Sequence, residues 1–302
     1  MNKKQTTIGI TSLLITACIY GSMSFFSRLV GNAIPVFYLT VIRNLFMAML
    51  LFLLVFGSKT WKKVRPQDWK WIASRSFLGI FGFAFYFICI NALPVGLTYL
   101  TMYSGTVIGG FILGKLLFHE NITPVKLMSL LLALLGLYIM YGRSFELSSF
   151  WYIVIAFIGG ISSGAWNIFG KKISGAYPAL QVNFLDSIFT ALFNLLFSLI
   201  VREVWIVPSI STPWISNLIM GVLFIITGQL ILYGFKYLEA SIGSIILLAE
   251  ILFAVLFGLI LFQEAITLSI IGGGICIIAA MILPELQWKK KIVLAKVGGN
   301  AT

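Results

Sequence analysis

"GKLLFHENIT" at residues 114–123 returns 144 positions later as "GLILFQEAIT" at residues 258–267, with Gly, Leu, Phe, Glu, Ile and Thr in matching places. A shift of 143 carries the likeness to the start of the chain, where Gly21 falls on Gly164 and Pro35 on Pro178. The identities are few, but the register holds across both ends of a long unit. What lies between the copies decides what the repetition means.

Hydrophobic residues make up 60% of the chain and charged ones 10%, with a mean hydropathy of +1.04. A soluble domain carries roughly a quarter charged residues. Apolar runs of the ~20 residues that cross a hydrocarbon core follow one another at 8–30, 35–57, 70–92, 95–118, 124–142, 149–170, 179–201, 213–235, 240–262 and 266–286. Lipid requires each such run to satisfy its own backbone, which a helix does. The fold class is therefore an all-α integral membrane protein with ten transmembrane helices. Five crossings separate Glu120 from Glu264, an odd number, so the two copies end on opposite faces of the membrane. The chain then consists of two inverted five-helix repeats, 8–142 and 149–286, followed by a basic tail at 287–302. Many carriers use this architecture for alternating access.

The short links leave no room for a soluble or nucleic-acid-binding module, so the net charge of +12 needs another explanation. The basic residues sort by side. With Lys3 and Lys4 in the cytoplasm, the same side collects Lys59, Lys62, Lys63, Arg65, Lys70, Lys115, Lys126, Lys171, Lys172, Lys236 and the tail lysines, while the opposite side receives Arg28, Arg143 and Arg202. This is the positive-inside pattern. It predicts both termini in the cytoplasm, residues 143–148 outside, and a plasma (inner) membrane location. A lysine-flanked apolar start also suits a cleaved signal peptide, but the first run has a counterpart in the sixth. Cys18, Cys89 and Cys276 fall inside apolar runs and read as small packing residues, with no disulfide or metal-ligand spacing.

At "IYGSMSFFSRLVGNAIPVFYLTVIRNLFMAML", residues 19–50, a Gly stands near the centre of the first span, a Pro precedes the second, and an Arg and an Ala lie inside it. "LLAEILFAVLFGLILFQEAIT", residues 247–267, has one Glu in mid-helix and another at its end. Both stretches resemble the EamA-type transporters of the drug/metabolite transporter superfamily, and the resemblance spans nearly the whole chain. It implies a ten-helix carrier of small organic metabolites and does not identify the metabolite. Two departures stand out: Ile251 follows the mid-helix Glu where the family often has Pro, and the first-repeat equivalent of that Glu is Thr106.

An ionised group at mid-bilayer costs roughly 2.5–3.5 kcal/mol on insertion scales, so each one is a functional candidate. Arg43 in the second span and Asp186 in the seventh occupy equivalent repeat positions with opposite charge. Inversion places them towards opposite faces, so each needs a partner other than its twin. Arg43 is read either as a substrate anchor or as a structural group bonded to helix-end carbonyls. Arg75, near the start of the third span, has a side chain long enough to snorkel to the headgroups. Glu250 lies amid "IILLAEILFAV" with no basic neighbour within a helical turn. A carboxyl able to exchange a proton inside a cavity can couple proton movement to transport; the alternative is a protonated Glu bonding two helices.

Asn183, Asp186, Thr190 and Asn194 recur at three- and four-residue steps on one face of the seventh span. Tyr99, Tyr103 and Thr106 line the fourth, and Trp166, Asn167, Gln229 and Tyr233 complete an expected lining. The substrate-binding candidates are thus Arg43, Tyr99, Tyr103, Trp166, Asn183, Asp186, Gln229, Tyr233 and Glu250. Together they describe an aromatic, weakly polar cavity suited to an amino acid or a related amphipathic compound. Gly105, Gly109, Gly110, Gly114, Gly272 and Gly273 read as close helix packing. His119, the single histidine, aligns with Gln263, so the shared residue of the motif is the Glu, suited to capping a helix end.

No metal cluster, nucleophile-base pair or Walker-type loop appears, and no cofactor is expected. The expected partners are a small-molecule substrate and the lipid bilayer, with no nucleic acid. The leading reading is a secondary transporter working by alternating access, proton-coupled or by exchange. The competing one is a membrane-embedded enzyme or a scaffold subunit without transport activity.

Overall fold

The computed structural model describes residues 3–31, 33–93, 95–142, 150–263 and 265–298. Residues 143–148 and Glu264 lie outside the described residues, as do the side chains beyond residue 284. Among the described residues every regular element is a helix. The first repeat comprises α1 (Lys3–Val30), α2 (Val36–Gly57), α3 (Trp69–Ala92), α4 (Val95–Phe118) and α5 (Pro124–Tyr141), with a short 3-10 turn at Pro66–Asp68. The second comprises α6 (Phe150–Ile173), α7 (Ala179–Val201), α8 (Thr212–Tyr237), α9 (Ala240–Leu247), α10 (Ala249–Phe262) and α11 (Leu268–Gly298). At 1.5 Å per residue, a helix the length of α2 spans about 33 Å, enough for the hydrocarbon core. Among the described residues eight helices are long and apolar enough to cross a membrane, with α9 and α10 counted as one. Helix α3, which carries Lys70 and Arg75, and the shorter apolar stretch of α11 complete the ten spans.

Local sequence signals set the ends at equivalent places in both repeats. Pro35 and Pro178 precede α2 and α7 with nearly the same backbone angles, since proline fixes φ and lacks the donor a first turn leaves unused. Lys59 and Arg202, then His119 and Gln263, take left-handed φ values of +53° to +59° just past helix ends. These pairs keep the offsets of 143 and 144 read from the sequence.

Packing follows the same symmetry. Helix α3 packs on α6 and α8 on α1; α4 packs on α6 while α9 and α10 pack on α1; α2 pairs with α7, and α5 with α11. Exchanging the repeats maps this set onto itself, as a pseudo-two-fold axis requires. Glycines permit the closest crossings. A Cβ on Gly160 would run into the Met102 carbonyl of α4, and a Cβ on Gly136 would meet the Gly273 carbonyl of α11. Outward-facing Leu53, Leu131, Ile200 and Ile260 are all exposed, as a lipid-facing surface allows.

Two features depart from the expected spans. The ninth is interrupted at Leu248, where the Leu248 and Ile251 amides donate to carbonyls three residues back. The tenth does not end at residue 286 but continues as helix to Gly298, because nothing in "LQWKKKIVLAK" breaks a helix.

Candidate functional site

A cavity of about 350 Å³ lies between the repeats, bordered by residues of every helix except α11. Its polar groups stand on two sets of helices.

Asp186 of α7 is held from three sides. Ser76 of α3 donates its hydroxyl to Oδ1 at 2.6 Å, and the Trp166 indole of α6 donates to Oδ2 at 3.1 Å. The Arg75 guanidinium stands 3.7 Å from Oδ2 and lies over the Trp166 ring, 4.2 Å from its centroid. Arg75 is 0% exposed. It therefore does not snorkel: the aspartate, one helix away, offers a counterion that holds the side chain inside the bundle.

Arg43 of α2 has a different environment. It is 4% exposed, and its guanidinium carbon lies 4.8 Å from the Phe83 ring centroid and 4.7 Å from that of Phe224. A cation between two aromatic faces gains about 0.5–2 kcal/mol from each favourable contact, yet the rings supply no acceptor in the guanidinium plane. Nε and Nη1 are buried with no hydrogen-bond partner among the described residues. Unmade bonds of this kind cost about 1–3 kcal/mol each. Among the described residues no helix-end carbonyl accepts from Nε or Nη1. Asn167 Oδ1 and Asn183 Nδ2, both on residues that border the cavity, also have no hydrogen-bond partner among the described residues.

Glu250 falls in the first turn of α10, directly after the interruption at Leu248. Tyr103 borders the same cavity and packs on the apolar cluster that contains Ile251, and Tyr99 stacks on Tyr103.

Of the nine candidates, Arg43, Tyr99, Tyr103, Trp166, Asn183, Asp186 and Glu250 border the cavity; Gln229 and Tyr233 do not. Helix α8 presents Met220, Phe224 and Gly228 to it at four-residue steps. Tyr233 belongs to the outward face with Val222 and Ile226 and is 47% exposed, while Gln229 is turned about 100° from Gly228. Phe83, Phe224 and Ser76 were not among the candidates. Ser76 lies one residue beyond Arg75, but no periodicity marks either phenylalanine.

Both faces of the bundle carry polar clasps. On the face rich in lysine, Lys62 and Gln181 exchange bonds of 2.9 Å and 2.6 Å, and Asp68 accepts from Tyr177 at 2.6 Å and Arg65 at 2.7 Å. The Tyr177 hydroxyl, helped by Arg65 against the desolvation of the group, holds the Asp68 carboxyl below its ordinary value. Glu120 accepts from Lys171 at 2.9 Å, from the Ala240 amide at 2.5 Å and from the Ser241 hydroxyl at 2.8 Å, so it caps α9. Lys126 and Glu239 form an ion pair beside it. On the opposite face, Glu203 accepts from the Phe37 and Tyr38 amides at 3.0 Å and 2.7 Å. His119 takes part in no metal-ligand cluster among the described residues.

Comparison with known proteins agrees with this architecture. The chain is 26% identical over 285 residues to a protein of Archaeoglobus fulgidus described as an uncharacterized transporter, which covers 91% of this chain and 95% of the relative. A protein of known crystal structure superposes with a TM-score of 0.76 at 17% identity, covering 95% of this chain and 99% of the other; at that identity the likeness concerns the fold. A model of the EamA-like transporter family matches residues 7–142 and 150–284, once for each repeat. With ten apolar spans, an internal two-fold and a family match over nearly its whole length, the chain belongs to the EamA-like transporter family and is a multi-pass membrane transporter.

Proposed function

We propose that the protein is a secondary carrier that moves a small organic metabolite bearing a carboxylate, an amino acid or a related amphipathic compound, by alternating access. The observation that carries this reading is Arg43, a buried guanidinium at the cavity whose Nε and Nη1 have no hydrogen-bond partner among the described residues; the Arg75 nitrogens are likewise unbonded but face the Asp186 carboxylate, whereas no carboxylate pairs with Arg43 among the described residues. A carboxylate of the cargo would satisfy them in the fork geometry for which arginine is suited. The cavity volume, about 350 Å³, is in the range of small-molecule sites. Its walls are mainly aromatic and apolar, which fits a cargo with an apolar body.

Two inverted repeats around one cavity supply the means for alternating access. The sorting of lysine and arginine supports cytoplasmic termini and a plasma (inner) membrane setting. Glu250 is the group proposed to exchange a proton as the cavity opens to water.

The test is reconstituted counterflow with metabolites first selected by thermal stabilisation of the purified protein. Arg43→Ala should lower carboxylate counterflow at least tenfold at matched incorporation, and Arg43→Lys should restore part of it. Glu250→Gln should lose flux driven by an imposed pH gradient while retaining counterflow at saturating cargo. Wild-type counterflow in Arg43→Ala sinks the anchor, and gradient-driven flux in Glu250→Gln sinks the proton role.

A further inference from the structure

Glu250 does not stand alone on its wall of the cavity. Ile251, the next residue of α10, belongs to the apolar cluster on which Tyr103 of α4 packs. Tyr99 stacks on Tyr103 with ring centroids 5.8 Å apart and planes inclined by 21°. Tyr86 of α3 continues the row, its ring 6.1 Å from Tyr99 and its hydroxyl 3.2 Å from that of Tyr99. All four residues border the cavity. No lysine or arginine forms an ion pair with Glu250 among the described residues.

The chemistry of this wall is opposite to that around Arg43. Tyrosine faces carry negative quadrupole density, and a carboxyl beside them adds an acceptor with charge, so the wall repels an anion and attracts a soft cation. Aromatic walls of this composition are suited to organic ammonium groups, which are bulky and weakly hydrated. A divalent metal ion demands several hard oxygen ligands, and here one carboxyl faces phenols.

From this juxtaposition we infer that Glu250, Tyr103, Tyr99 and Tyr86 form a cation subsite for an organic ammonium group of the cargo. With Arg43 taking the anionic end, the cargo class is zwitterionic, its two charges held on separate walls. The inference rests on the carrier reading of the cavity and assigns the second half of its recognition.

The probe is choline, compared with its uncharged isostere 3,3-dimethyl-1-butanol, titrated onto the full-length protein in detergent by calorimetry. Choline should bind and the isostere should not. Glu250→Gln and Tyr99→Leu should each raise the choline Kd about tenfold or more. Tyr233→Phe, on the outward face, should leave it unchanged. Equal binding of the two probes, or wild-type choline affinity in both Glu250→Gln and Tyr99→Leu, overturns the subsite. Choline binding without counterflow of any zwitterion would refute the carrier and leave the subsite standing. Counterflow indifferent to saturating choline would refute the subsite and leave the carrier.

Discussion

Asp186→Asn isolates the Arg75 ion pair because it removes one charge and almost no volume. The carboxylate oxygen lies 3.7 Å from the Arg75 guanidinium, which at an effective dielectric of about 20 corresponds to an attraction of roughly 4.5 kcal/mol before desolvation is counted. The asparagine amide must also turn its donor towards Ser76 or Trp166, both of which donate to Asp186, at a cost of about 1–3 kcal/mol. Breaking a buried pair from one side commonly destabilises by about 3–5 kcal/mol, because the remaining charge is left uncompensated. The side chains are nearly inaccessible, at 1% for Arg75 and 12% for Asp186, so little solvent screening reduces that figure.

Removing Arg75 as well should reverse much of the loss. In thermal unfolding in detergent, Arg75→Met/Asp186→Asn should melt above Asp186→Asn alone, with a coupling of about 2 kcal/mol or more. Single-variant shifts that add within about 0.5 kcal/mol would refute the pair. Because Asp186 already has protein partners, counterflow by the folded fraction of Asp186→Asn should show a KM close to that of the wild type.

The remaining predictions concern the clasps and the topology. Burial alone would raise the Glu120 carboxyl, but the Lys171 ammonium and the Ala240 and Ser241 amides outweigh it and hold the group below its ordinary value. Its contribution to stability is therefore present above the unfolded glutamate value of about 4.3 and lost as pH falls through the folded one. Glu120→Gln should melt lower at neutral pH and decline less on acidification, and parallel melting curves would exclude Glu120 as the titrating group. In intact cells an impermeant thiol reagent should modify Ser209→Cys and spare Lys62→Cys; the opposite pattern would invert the orientation.

The spans were legible because hydropathy and proline act locally, and their limits owe little to distant contacts. Pro35, Pro178 and Pro124 open helices wherever they occur in this fold, and the offset of 143 between the first two survives as a match in backbone angles. The interruption at Leu248 was not legible, since "ILLAEIL" contains no glycine or proline and a continuous helix satisfies the same pattern. Arg75 was misplaced for a different reason. Its depth depends on Asp186 and Trp166, which belong to the other repeat, and a single helix cannot report a counterion that arrives from a neighbour. Among 26 phenylalanines, the two that flank Arg43 follow from the crossing of α2, α3 and α8. Tyr233 and Gln229 lie off the cavity because the face of α8 that meets it carries Met220, Phe224 and Gly228, a phase that the polar residues of this helix do not report.

The pseudo-symmetry itself shows why Arg43 lacks partners of the kind that Asp186 has. An offset of 145 superposes α3 on α8, and Leu93 and Leu238, which close these helices, share backbone angles within a degree. Ser76 then corresponds to Gly221, and Arg75 to Met220. Ser76 touches Asp186, and a Cβ on Gly221 would stand 3.3 Å from Arg43 Cγ, so the two positions meet equivalent partners. Where the first repeat offers Asp186 a hydroxyl and a counterion, the second sets a glycine beside Arg43 and has a methionine at the position equivalent to Arg75. Met220→Glu would supply the missing counterion at the symmetry-equivalent place. Carboxylate cargo should no longer stabilise the folded variant, whose own melting point will fall by whatever the loss of Met220 packing against Val30, Leu39 and Trp214 costs beyond the new ion pair. A Met220→Glu protein that is stabilised by the same carboxylates as the wild type would show that the anion binds elsewhere than Arg43.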